Sequence, residues 1–313
     1  MSNDNLSRQK ILIGIASYRD PELFSTINDC LVKAKHPDRL VFAIVNQYEP
    51  GAARSFEYLA DADLRLVQLP YQESRGVGYA RRLMTDLWVD EPWVLQLDAH
   101  TRFDQDWDEI LLQEWQACSD PKAILTNYLM SYEYDDNGAE RKHSNRQPVM
   151  LDLVVRPSMG RTPIFSPGTR AVPSGDHPIP TICFSGHFQF GPGDSFGVPY
   201  IRELTFWGEE IVRAFQLFSF GYNLYVPRRA PMHHLYKRNK MRFWEHATNS
   251  TRQDTIDHLQ EVGRKFMNDW LDEQLSPSQA SYFGSERNLA DFTSFGQQHG
   301  LDLPHALANP ISL

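Results

Sequence analysis

The sequence predicts an α/β protein built on an open, mostly parallel central sheet flanked by helices. Three observations carry that expectation. Short apolar runs bounded by turn residues recur early in the chain, as in Ile11–Ser17, Leu40–Asn46 and Trp93–Leu97. Segments of helical spacing separate them, the alternation that builds parallel sheets. The last of these runs leads straight into Asp98-Ala99-His100, which places polar groups at a strand's carboxyl end, where open sheets bind their ligands.

The elements follow in order. Ile11–Ser17 reads as a buried strand closed by a turn at Arg19-Asp20-Pro21, with Pro21 as the first residue of a helix reaching about Ala34. Leu40–Asn46 and Leu64–Leu69 are the next strands. Gly76–Asp90 has helical spacing, with Ala80, Leu83, Leu87 and Trp88 as its apolar face. Trp93–Leu97 is a fourth strand, Asp106–Ala117 a helix and Ala123–Tyr128 another strand.

Residues 132–180 then turn rich in Pro, Ser, Gly and charge. They read as long loops with one strand at Met150–Val155, and loops of this length in a compact domain are usually functional. Strand character returns at Thr181–Phe190, a helix is expected over Trp207–Phe220 and stopped by Gly221, and Met241–Leu271 is largely helical. From Ser276 the sequence is polar and weakly patterned, and partial disorder is expected there. The organisation expected is a catalytic domain over 1–240, with 132–180 on its acceptor side, followed by a helical extension and tail over 241–313.

Bulk properties bound the function. The 313 residues suffice for one large α/β domain or two small ones, and 41% hydrophobic with 23% charged residues is ordinary for a globular chain. A net charge of −9 disfavours nucleic acid as a partner. Residues 1–10 are polar without an apolar signal core, and no apolar run approaches the length of a membrane span, so neither secretion nor stable membrane insertion is expected. Three scattered cysteines, Cys30, Cys118 and Cys183, point to a reducing compartment, with cytoplasm as the expectation. There is no internal repeat and no Rossmann or P-loop glycine signature.

The chemistry concentrates at Gln96–Phe103. In an extended segment, residues two apart share a side, so Asp98 and His100 can converge on one cation. An O/N pair suits Mn²⁺ or a similar first-row ion better than Ca²⁺, with Mg²⁺ as a second choice. The competing structural reading is a chance Asp-x-His with Asp98 capping a turn. A third ligand is expected, and His233 and His234 are the candidates; a hydrogen-bonded structural pair is the alternative for them.

Four motifs in the same order resemble the hydroxyproline-type N-acetylglucosaminyltransferases, family 60 of the glycosyltransferases. They are Ser17-Tyr-Arg-Asp-Pro-Glu-Leu23, Gln96-Leu-Asp-Ala-His-Thr-Arg-Phe103, Phe206-Trp-Gly-Glu-Glu-Ile211 and His234-Leu-Tyr-Lys-Arg238. Arg75-Gly-Val-Gly-Tyr-Ala-Arg81 followed by Asp98-Ala-His100, a DXD-like motif, also resembles the polypeptide GalNAc-transferases. The resemblance covers roughly residues 11–240. Ala99 stands where a serine is usual, and Ser185-Gly186-His187 where a double glycine is usual. The chain after about residue 245 carries no resemblance.

The resemblance implies a GT-A fold, a Rossmann-like sheet with C-terminal helices, and retaining transfer of GlcNAc from UDP-GlcNAc to a hydroxyl. The acceptor is a protein side chain (hydroxyproline, Ser or Thr) or a glycan. It implies a metal held by Asp98, His100 and His234. It implies donor binding by Ser17, Tyr18, Arg19, Gln47, Arg75, Arg81, Asp98, Gly186, Tyr236 and Arg238, with Tyr236 and Arg238 as a lid over the diphosphate. Glu209 and Glu210 would face the sugar and the acceptor, and Trp207 would stack on either; acids in a first helical turn are also common for the macrodipole alone. Another UDP-hexose transferase, a catalytically inactive sugar-nucleotide-binding protein and a metal hydrolase are the competing readings. The last lacks the dense His/Asp clusters of two-metal sites.

Overall fold

The computed structural model describes residues 9–51, 56, 63–143, 149–155, 161–167, 175–237, 242–245 and 250–308. The chain opens with β1 (Ile11–Tyr18), α1 (Leu23–Lys33), β2 (Leu40–Tyr48), β3 (Asp63–Pro70), α2 (Val77–Thr85), β4 (Trp93–Asp98), β5 (Thr101–Phe103), α3 (Trp107–Ala117) and β6 (Ala123–Leu125). The strands β7 (Met130–Tyr134), β8 (Glu140–Lys142), β9 (Leu151–Val155), β10 (Pro163–Pro167), β11 (Ile179–Thr181) and β12 (Phe188–Pro192) follow. The remainder is α4 (Glu209–Ser219), β13 (Asn223–Val226), β14 (Met232–His234), α5 (Ser250–Leu271), α6 (Pro277–Ala280), α7 (Leu289–Gln298) and α8 (Leu303–Ala308).

The main sheet has eight strands in the order β11-β13-β6-β12-β4-β1-β2-β3. Its β4-β1-β2-β3 half is wholly parallel. The other half is mixed: β12 runs antiparallel to both β4 and β6, and β11 antiparallel to β13. β6 and β13 are parallel as well, so four of the seven pairings are parallel and the expectation of a mostly parallel sheet holds, with the antiparallel pairings gathered at β12 and at the β11 edge. β12 runs backwards because it begins at the ligand end of the sheet, with Phe188 opposite Leu97 and Pro192 opposite Trp93. A second sheet, β5-β14-β7-β8, starts two residues beyond β4 and sets His234 opposite Thr101.

Period-2 alternation divides the core. Ile11, Ile13, Ile15, Phe42, Ile44, Leu95 and Leu97 pack on Leu23 and Ile27 of α1 and Trp107 and Leu111 of α3. Leu12, Val41, Val45 and Val94 face the other way, onto Ala80 and Met84 of α2. A third cluster joins Ile211, Phe215 and Phe218 of α4 to Phe266 and Trp270 of α5 and Phe292 of α7. Among the described residues, no helix is long and apolar enough to cross a membrane.

Several boundaries differ from expectation. The first helix begins at Leu23 because Asp20 Oδ1 accepts the Glu22 amide at 2.9 Å, which holds Pro21 in a turn. α4 begins at Glu209 because Gly208 has φ +82°. The loop-rich segment holds more strand than one. β7 and β8 form a hairpin about Asp135–Gly138, where Asp135 Oδ1 accepts the Asn137 and Ala139 amides, and β9 pairs with β10. The strand expected over 181–190 is split by a turn at Ser185–Phe188. The segment from Ser276, expected to be partly disordered, is helical over α6, α7 and α8. Capping boxes open α6 and α7, and Phe292 and Leu301 are buried.

Candidate active site

The carboxyl ends of β1 and β4 are in register, Ala16 opposite Asp98. Beyond Asp98 the chain bends through Ala99 and His100 before β5 starts. The two side chains therefore converge because of this bend, and not because an extended strand places them on one side. β14 pairs with β5 and carries His234 to the same point, with its Nε2 3.3 Å from Asp98 Oδ2. One ligand atom each from Asp98, His100 and His234 lies within 4.8 Å of the others. Of the two candidate histidines, His234 is the one that lies beside Asp98 and His100; His233 faces elsewhere and meets Asp104 at 3.1 Å.

Asp20 Oδ2 lies 2.9 Å from His100 Nδ1. A carboxylate there fixes the Nδ1–H tautomer, which leaves Nε2 to look toward Asp98, 3.6 Å away. Arg81 bridges two carboxylates, with Nη2 at 3.3 Å from Asp98 Oδ1 and Nη1 at 2.8 Å from Glu209 Oε2. Burial alone would raise the Asp98 pKa. The His234 hydrogen bond and the neighbouring His100 and Arg81 outweigh it and hold the carboxyl well below its ordinary value. Burial opposes the Arg81 charge too, and Glu209 and Asp98 overcome it.

Glu210 accepts the Gly186 amide at 2.8 Å. Burial, and then the charge of Glu209, push its pKa up to about 7. Gly186 is pressed against Arg81: a Cβ there would lie 2.3 Å from Nη1. His187 packs on His234 with ring centres 4.4 Å apart and accepts the Leu129 amide at 3.3 Å; burial and His234 depress its pKa well below the ordinary value, so the ring is neutral. Tyr236 stacks on Tyr128 at 4.9 Å and donates to the Leu129 carbonyl at 2.7 Å.

Asp98, His100, His234, Arg81, Glu209, Glu210, Gly186 and Tyr236 thus form one contiguous group. Other expected residues lie around it. Ser17 is buried beside Asp98's neighbour Ala16. The Gln47 amide donates to the Ser17 carbonyl at 3.0 Å and accepts from Ser74 Oγ, so it ties β1 to the 71–74 turn. Arg19 pairs with Glu49 and covers the Tyr71 ring at 4.4 Å. Beside it a cleft of about 250 Å³ opens between Asp20, Phe24, Asn46 and Tyr48. Tyr18 contacts Phe243 edge-on, with ring centres 6.0 Å apart. Arg75 is exposed, over the Tyr79 ring at 5.4 Å. Trp207 is 37% exposed and joins Phe206 and Trp244 in an outer aromatic group, apart from the carboxylates. Arg238 lies outside the described residues.

Two contributions escaped the sequence reading. The sequence places Asp20 only in the turn after the first strand and in a motif, and its contact with His100 joins residues 80 apart, which no local pattern reveals. The sequence shows Gln96 only as part of a motif. A buried amide in an otherwise apolar strand was the available signal.

The sequence matches the family described as Glycosyltransferase (GlcNAc) over residues 10–57 and 48–297. No curated protein matches it. Among solved structures, GalNAc-T7 with UDP, GalNAc and Mn²⁺ aligns at a TM-score of 0.56 and 12% identity, over 94% of this chain and 55% of that one. TarS 1–349 of S. aureus, in complex with UDP-GlcNAc, aligns at 0.49 and 12% identity, over 96% of this chain and 87% of that one. The chain spans about half the length of the GalNAc-T7 chain, 55%. At this identity the likeness is one of fold, the GT-A glycosyltransferase fold.

Proposed function

The chain belongs to the Glycosyltransferase (GlcNAc) family, and from that premise we propose that it transfers N-acetylglucosamine from UDP-GlcNAc to a hydroxyl acceptor, with retention at the anomeric carbon. The observation that carries this reading is the Asp98–His100–His234 cluster, with Arg81 against Asp98, at the carboxyl end of the sheet. One carboxylate and two imidazoles, one of them with its tautomer fixed by Asp20, fit a first-row divalent cation. Mn²⁺ held there would supply positive charge against the donor diphosphate.

The remaining roles belong to the chain's own residues. Ser17, Tyr18, Arg19 and Gln47 form the nucleotide end; Arg75, Arg81 and the Tyr236–Arg238 segment serve the diphosphate. Gly186, Glu209 and Glu210 hold the sugar, and Trp207 faces the acceptor. In the transfer, the bond from the sugar C1 to the β-phosphate oxygen breaks with its electron pair leaving on UDP. The acceptor oxygen bonds C1 on the same face and gives its proton to the departing phosphate oxygen. Residues 1–240 form the catalytic part and 241–313 its helical extension. The motif resemblance supports a hydroxyproline, serine or threonine side chain, or a glycan hydroxyl, as acceptor.

The test is UDP release from a panel of UDP-sugars with Mn²⁺, with and without EDTA and hydroxyproline peptides, for wild type and Asp98→Ala. Turnover of UDP-GlcNAc, lost in EDTA and in the variant, is the expected result. No binding or turnover of any donor with Mn²⁺ and acceptor present would overturn the reading.

A further inference from the structure

Gln96 is a buried amide in the middle of β4, 1% exposed, among Val94, Leu95 and Leu97. Residues two apart share a face, so it points the same way as Asp98. Both ends of its amide are engaged. Oε1 accepts from the Tyr200 hydroxyl at 2.9 Å, and Nε2 donates to the Gly186 carbonyl at 2.8 Å. Burial raises the Tyr200 pKa to about 12, so this hydroxyl keeps its proton and acts as donor. That sets the amide's orientation: with Oε1 committed to an O–H, only Nε2 can face Gly186. Tyr200 is itself held, with the Arg213 guanidinium 4.2 Å over its ring.

Gly186 is the second residue of the Ser185–Phe188 turn between β11 and β12. Its carbonyl is pinned by Gln96 and its Cα by Arg81, and its amide reaches Glu210 Oε1 at 2.8 Å. A hydrogen-bonded path therefore runs Tyr200–Gln96–Gly186–Glu210, from one buried side chain to a carboxyl beside the metal-ligand cluster. Its strand neighbours Val94, Leu95 and Leu97 are apolar, and the amide's cost of burial is offset by what it holds.

We propose that Gln96 is a positioning residue for sugar transfer, fixing the Glu210 carboxyl at the sugar end of the donor through the two peptide groups of Gly186. This rests on the transferase reading above. Among the described residues the side-chain hydrogen bonds of Gln96 run to Gly186 and Tyr200, away from the cation cluster and the nucleotide end, so its removal should act on turnover and spare nucleotide affinity.

The test is Gln96→Leu in the full chain, with Mn²⁺ and UDP-GlcNAc as probes. The expected result is turnover lowered about 10-fold or more, a UDP·Mn²⁺ Kd within about twofold of wild type, and a Gln96→Leu/Glu210→Gln double variant no slower than Glu210→Gln alone. Wild-type turnover, multiplying losses in the double variant, or an equal fall in UDP affinity would overturn the proposal. The Gly186 amide signal in ¹H–¹⁵N spectra gives a readout that needs no activity. It should move upfield both in Gln96→Leu and in Glu210→Gln, and an unmoved signal in Gln96→Leu overturns the proposal. Wild-type protein that binds and turns over no UDP-sugar would strike the transferase reading alone, and the amide signal would then decide the path. Should Gln96→Leu not fold, Tyr200→Phe releases the amide's orientation and should shift both readouts in the same direction, by less.

Discussion

Asp20 Oδ2 lies 2.9 Å from His100 Nδ1, although the two residues are 80 apart in sequence and come from different strand ends. The same carboxylate's Oδ1 accepts the Glu22 amide, so the turn that starts α1 also sets the tautomer of a cluster histidine. Removing the charge and the acceptor that faces His100, while leaving an oxygen for the Glu22 amide, tests that link. Asp20→Asn should weaken Mn²⁺ binding by about 10- to 100-fold, with the far-ultraviolet circular dichroism unchanged. Titration calorimetry reads the affinity, and a wild-type value would show that Asp20 does no more than shape the turn.

The parallel half of the fold was legible because β1, β2 and β4 are near-continuous apolar runs, and the cluster because Asp98 and His100 follow one of them. The contributions from afar were not. Which of His233 and His234 turns inward depends on β14 pairing with β5, a contact across about 130 residues. Likewise, the antiparallel entry of β12 follows from where residues 175–187 arrive. The helices after Ser276 were legible in part: Ser276-x-x-Gln279 and Asn288-x-x-Asp291 are capping boxes, and the polar composition masked them.

Glu210 gives a pH signature. Its pKa in the folded protein, about 7, stands above the ordinary 4.5. A carboxyl so raised contributes stability that is full below about pH 4.5 and is lost as pH rises through about 7. Glu210→Gln removes this dependence. In metal-free urea unfolding, the variant should therefore gain on wild type between pH 5 and pH 8. A constant difference across that range would refute the assignment.

Gly186 is required for its missing side chain. Its φ does not lie in the left-handed region, so alanine suits the backbone and the cost is contact alone. The added Cβ would lie 2.3 Å from Arg81 Nη1, a guanidinium already tied to Asp98 and Glu209. Gly186→Ala should lower UDP-GlcNAc turnover with Mn²⁺ by about 10-fold or more through displacement of Arg81. Full turnover would mean that Arg81 moves aside without consequence.

The helices beyond α5 belong to the same core as the strands. Phe292 is fully buried and meets Phe215 and Phe218 of α4 edge-on, with ring centres 5.5 and 5.4 Å away. Nearby, Arg287 donates to the carbonyls of Phe218 and Tyr222, closing the open end of α4. α4 in turn begins with Glu209 and Glu210, so the packing of α7 sets the far end of the helix that carries the site's acids. Phe292→Ala should cost about 3–5 kcal/mol by loss of burial and by the cavity left behind, read as a fall in urea midpoint with one transition. A change below about 1 kcal/mol, or an early separate transition, would mean that these helices unfold on their own and leave α4 in place.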